Sequence, residues 1–242
     1  AAWGSGAFGG TPIAQAADGA LAADSTLLAP ASPAFGIWSA IYVGLTLFAA
    51  RQAAPRLGSD PRLRAIAWWV LASMVLNAVW IGVIQAGWLW ASVGVIAVLV
   101  AVLALIAVRL VRIGPSSWLD AATADVTVGL YLGWAAVAAA ANVAAAGSAT
   151  LDAAPGDGTA VAVAVAAVVA LLAIALARGL RARPALVIAT GLAMAWGLAW
   201  IAAGRATGEP ESLPVMWAAG IAAAVAFAAP FAALDFARRP TT

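Results

Sequence analysis

Three stretches of this chain carry rings and amides at helical intervals. Trp38 and Tyr42 lie four residues apart, and Asn77 and Trp80 three apart. Tyr131, Trp134, Ala138 and Asn142 then follow one another at spacings of three, four and four. On a helix these intervals stack side chains on one face, a turn apart. Aromatic faces with a few phenol and amide groups suit a large, planar, amphipathic ligand, held by stacking and hydrogen bonds.

Other chemistries are excluded by residue type. The chain has no Cys, no His and no Lys. That rules out a disulfide framework, thiolate or imidazole metal sites, Cys or His haem ligands and Ser-His-Asp catalysis. A Walker A loop needs a Lys, and so does a retinal Schiff base. Asp125 is the one acid well inside an apolar run. A single carboxylate makes no acid–base pair, and capping a neighbour or pairing with Arg109 or Arg112 is its expected role. No enzymatic activity, metal or required cofactor is expected.

The elements that must position these residues are membrane helices. Of the 242 residues, 65% are hydrophobic and 9% charged, against roughly 25% charged in globular proteins. A net charge of +2, spread along the chain, makes no basic patch for nucleic acid. The pattern predicts an all-α, polytopic bundle with spans near 34–50, 65–86, 88–108, 118–146, 159–177, 184–203 and 213–236. Each approaches the ~20 residues that a bilayer requires. Residues 1–33, rich in Gly, Ala, Pro and Thr, read as an irregular segment over the bundle with a short helical turn near 13–22. Because the first residue is Ala and not Met, something upstream is expected to have been cleaved, omitted or not identified.

Loop charge predicts the orientation. With the N-terminal segment outside, eleven of the twelve Arg fall on the cytoplasmic side, and only Arg205 lies outside. The positive-inside rule then places the C-terminus in the cytoplasm, and a plasma membrane, the inner membrane of a bacterium, is the expected location. Trp68, Trp69, Trp88, Trp90, Trp118, Trp200 and Trp217 lie near span ends, where interfacial belts use Trp. Gly129 and Gly133 make a GxxxG pair, expected to bring two helices close. The plainer reading of the rings and amides is packing, with Asn77 and Asn142 as helix glue.

The same residues carry a resemblance. Pro30 to Leu45 resembles the Pro-x-x-x-Phe-x-x-Trp-x-x-x-Tyr segment of the TspO/MBR family, the tryptophan-rich sensory or translocator proteins. Leu76-Asn77-Ala78-Val79-Trp80 is similar to that family's Leu-Asn-x-x-Trp. Tyr131-Leu132-Gly133-Trp134, with Ala138 and Asn142, is similar to its Pro-Tyr-x-x-Trp…Ala…Asn, although Leu130 stands in place of the proline. The likeness spans about 30–146. It implies a five-helix fold whose pocket binds tetrapyrroles and, in animals, sterols and drug-like molecules. It also implies that Trp38, Tyr42, Asn77, Trp80, Trp134, Ala138 and Asn142 line the pocket.

Two departures stand out: the family's first helix is missing or reduced to a stub, and residues 159–236 add three helices. The expected organisation is therefore a cover (1–33), a TspO-like core (34–146) and three further helices with a short tail (147–242). The expected function is binding of a porphyrin-like ligand in the outer half of the bundle, for sensing or transport. A rival of another class is a non-catalytic accessory subunit of a larger membrane complex. Expected partners are the lipid bilayer and a hydrophobic small molecule, with a homodimer or larger assembly as the protein context.

Overall fold

The computed structural model describes residues 17–54, 60–115 and 117–238, and these contain no strand. The first part of the N-terminal segment, the loop carrying Arg56 and the C-terminal tail lie outside the described residues. Among the described residues, seven helices are long and apolar enough to cross a membrane. A 3-10 turn, Ser32–Gly36, leads into α1, Ile37–Ala53. Helix α2 is Pro61–Gln85, α3 is Leu89–Arg112 and α4 is Trp118–Leu151. Helices α5, Thr159–Leu180, α6, Pro184–Thr207, and α7, Leu213–Arg238, complete the chain.

Local chemistry sets the helix ends. Asp60 accepts from the Arg62 N–H at 2.8 Å with Pro61 next to it, a favourable helix start. Ser117 Oγ accepts from the Asp120 N–H and caps α4 as its spacing predicts. Helix α4 stops where Asp152 takes a left-handed conformation, five residues beyond the expected end.

Helices α4 and α6 are the two most deeply buried spans. They meet through glycine: a Cβ on Gly129 would run into the Leu186 carbonyl and Ala189, and one on Gly133 into Thr190 and Ala193. Small residues at a membrane interface let backbones approach, which fulfils the expectation for GxxxG. Helix α5 buries an alanine stripe, Ala162, Ala166, Ala173 and Ala177, while Val161, Val168 and Leu171 are exposed. Such a helix packs with one face and meets lipid with the other.

At the arginine-rich end, an ionic cluster ties three helices together. Arg62 Nη1 lies 2.8 Å from Asp120, Arg62 Nη2 pairs with Asp125, and Arg62 Nε donates to the Ile113 carbonyl at 2.7 Å. Arg51 pairs with Asp120 at 3.2 Å and also donates to Thr123. Asp120 immediately precedes a π-helical turn, Ala121–Val126, and Asp125 lies within it; both carboxylates meet α2, and Asp120 also meets α1. The expected partner for Asp125, Arg109 or Arg112, is therefore corrected to Arg62. Arg109 instead donates to the Ala65 carbonyl and lies over the Trp69 ring, 4.9 Å from its centroid.

Candidate ligand site

At the opposite end, rings from α1, α4 and the preceding turn form one cluster. Trp38 stacks on Tyr42, with centroids 5.3 Å apart, one helical turn along α1. Trp38 also meets Tyr131 edge-on at 5.6 Å and Trp134 at 6.4 Å. Phe35 approaches Trp134 edge-on at 5.6 Å. Edge-to-face pairs set the positive rim of one ring against the negative face of another, which fixes ring planes as well as filling space.

The amides are tied into hydrogen bonds. Trp80 Nε1 donates to Asn142 Oδ1 at 2.9 Å, and Asn142 Nδ2 donates to Ser92 Oγ at 2.8 Å. One fully buried amide thus joins α2, α4 and α3 and holds the Trp80 indole in a single orientation. Asn77 Nδ2 donates to the Tyr42 hydroxyl at 3.3 Å, and the Tyr131 hydroxyl donates to the Ser73 carbonyl at 3.2 Å. Amides in hydrocarbon require such partners.

Two small cavities touch these residues. The first, about 40 Å³, is walled by Phe35, Trp80, Trp134, Ala138 and Asn142, and closed by the chain segment Ala20–Pro30. The second, about 30 Å³, lies deeper, between Trp38, Asn77, Trp80, Trp134 and Ala138. Trp38, Asn77, Trp80, Trp134, Ala138 and Asn142 therefore share one region. Tyr42 and Tyr131 line neither cavity and stand behind Trp38 as its support.

The cover has a seat that the sequence did not announce. Trp196 Nε1 donates to the Ala34 carbonyl at 2.8 Å, and the Ala31 N–H donates to the Trp200 carbonyl at 3.2 Å. Trp200, expected in an interfacial belt, is half-buried and packs edge-on against Trp196 at 5.6 Å. Arg205, 1% exposed, donates to the carbonyls of Thr26 (2.9 Å), Ala23 (2.7 Å) and Glu209 (3.2 Å). The Trp pair sits four residues apart on α6 and Arg205 is the lone base at its end of the bundle, the only sequence signals for this seat. Ser92 was likewise not singled out, and Phe35 entered only as the Phe of the quoted family segment.

A family model described as TSPO-like protein matches residues 5–232. No curated protein and no solved structure matches the chain. The family match runs past the likeness at 30–146 and takes in most of the three last helices, one of which, α6, supplies the seat of the cover. A seven-helix membrane bundle, with an aromatic and amide cluster under a polypeptide cover, thus belongs to the TSPO-like protein family.

Proposed function

We propose that this protein binds a flat, lipid-soluble ligand of the tetrapyrrole class beneath the cover, and serves in sensing or transport rather than catalysis. One observation carries this reading. Phe35, Trp80, Trp134, Ala138 and Asn142, from a turn and two helices, wall a single cavity that chain segment 20–30 closes. Three aromatic rings offer π-faces, and Asn142 offers the amide for a polar edge. The cavity holds about 40 Å³, whereas ligand pockets span roughly 300–1,000 Å³. Ligand entry therefore requires the cover to move and Trp80 and Trp134 to part. The cover is assigned to the extracytoplasmic face of the plasma membrane and the C-terminus to the cytoplasm, since Arg51, Arg62, Arg109 and Arg183 gather at the other end.

Titration of the purified protein with protoporphyrin IX, followed by Trp quenching, tests the site. Loss of one stacking ring should cost on the order of 1 kcal/mol, or about fivefold in affinity. Trp134→Ala is expected to weaken binding by at least that factor. Trp217, 65% exposed and remote from the cavity, should be replaceable by Ala without effect. Equal losses at both positions would remove the cavity as the site.

Asn142→Leu provides a second test. Hydrogen bonds between membrane helices average about 0.6 kcal/mol, so the fold should survive with its melting temperature within a few degrees. The Trp80 indole loses its acceptor, and porphyrin affinity should fall severalfold. In a Trp80→Phe background the same change should cost much less. An Asn142 effect of undiminished size in that background would mean that Asn142 does not act through Trp80.

A further inference from the structure

We propose that the aromatic cavity is entered sideways from the bilayer, through the groove between α4 and α5, with Thr26–Leu28 as its door and Arg205 as the latch. The inference rests on the aromatic cavity being the ligand site. The groove encloses about 540 Å³ between Ala140, Val143 and Gly147 of α4 and Val161 and Val165 of α5, with Thr26, Leu27 and Leu28 as its inner wall. Val143 is 48% exposed and Val161 66%, so these walls are not covered by protein. From Ala140 to Leu151 the groove runs ~16 Å along α4, at 1.5 Å per residue. That is about half of a ~30 Å hydrocarbon core. Its volume falls within the range of ligand pockets, and its lining is apolar apart from Thr26, Ser148 and Asp157.

Groove and cavity share Thr26, which with Ala20 and Ser25 also lines the polar pocket on the water side of the cavity. The Thr26 hydroxyl is buried without a hydrogen-bond partner. A buried hydroxyl without a partner costs free energy, and a passing polar edge would relieve it. The door is held by its backbone: Arg205 Nη1 donates to the Thr26 carbonyl and Nη2 to the Ala23 carbonyl. Arg205 has no carboxylate within salt-bridge distance among the described residues, and its Nε–H is unpartnered. A buried guanidinium held only by carbonyls is a weaker lock than one paired to an acid. The other approach, from water, runs past Asp24, Ser25 and Asp152, a polar path for a flat apolar molecule.

The test uses the full chain in liposomes and two probes. Gly147 lines the groove and has nothing within 4 Å of an added Cβ, so the side chain of Gly147→Trp starts into open space on the groove side. Arg205→Gln releases the latch. With protoporphyrin IX delivered in the bilayer, Gly147→Trp should slow binding and release about tenfold while Kd stays within twofold. An apolar diazirine photoprobe reads the door independently of porphyrin. Arg205→Gln should raise its labelling of Trp80 and Trp134 severalfold, and Gly147→Trp should reverse that gain and lower labelling of Leu27 in the otherwise natural chain. Unchanged porphyrin rates in Gly147→Trp, or unchanged Leu27 labelling, would overturn the side entrance even if Arg205→Gln fails to fold. If porphyrin binds no variant yet the labelling pattern holds, the entrance stands and the tetrapyrrole assignment falls.

Discussion

Arg62→Met is expected to be among the most destabilising single changes in this chain. Arg62 is 2% exposed and is the ion-pair partner of Asp125, itself 1% exposed. Asp120 keeps Arg51 at 3.2 Å, but Asp125 is left as a buried carboxylate without its counter-charge. Removing one partner from a buried pair costs ~3–5 kcal/mol, most of it the penalty on the charge left behind. The Ile113 carbonyl, which takes the Arg62 Nε–H at 2.7 Å, loses its donor as well. Thermal unfolding in detergent should show a fall in Tm well beyond that of any surface Arg. Adding Asp125→Asn removes the orphan charge and should restore part of the loss. A double variant no more stable than Arg62→Met alone would mean that the ion pair is not what holds α2 against α4.

Gly133→Val should have a comparable effect for a steric reason. The added Cβ would lie 2.9 Å from the Ala193 Cβ and closer still to the Thr190 carbonyl, which belongs to helix backbone and cannot rotate away. Helices α4 and α6 would have to separate, and overpacking of this kind costs ~1–3 kcal/mol or more. The displacement reaches the ligand site, because Trp134 follows Gly133 directly and α6 carries the seat of the cover. Gly94→Val is the matched control: it lies on an exposed face with nothing within 4 Å of its Cβ. Folded yield and Tm should drop for position 133 and hold for position 94. Equal behaviour at the two positions would contradict the close α4–α6 contact.

Hydrophobicity and spacing determined the spans and the aromatic stripes, because both are local properties of the chain. An apolar run has to form a helix in lipid to satisfy its backbone, so α1 to α7 could be read within a few residues at most ends. A turn of helix is 3.6 residues, so Trp38 had to stack near Tyr42, and Tyr131, Trp134 and Ala138 had to share a face. Gly129 and Gly133 announced a close helix contact in the same local way.

What the tertiary structure alone decided is which faces meet and at what depth. The stripe periodicity says nothing about rotation between helices, and that rotation sends Asn142 to Trp80 and Ser92, and Tyr131 behind the cavity to Ser73. The acids of α4, next to and within a π-helical turn, meet Arg62, against the expectation of Arg109 or Arg112 for Asp125, because spacing along one helix does not say which neighbouring helix a residue faces. Arg205 reads in sequence as a loop charge, yet it is buried under a segment 179 positions away, holding carbonyls that carry no sequence signal of their own. Charge and spacing are written residue by residue, whereas a hydrogen-bond partner across the bundle is fixed only when the helices pack.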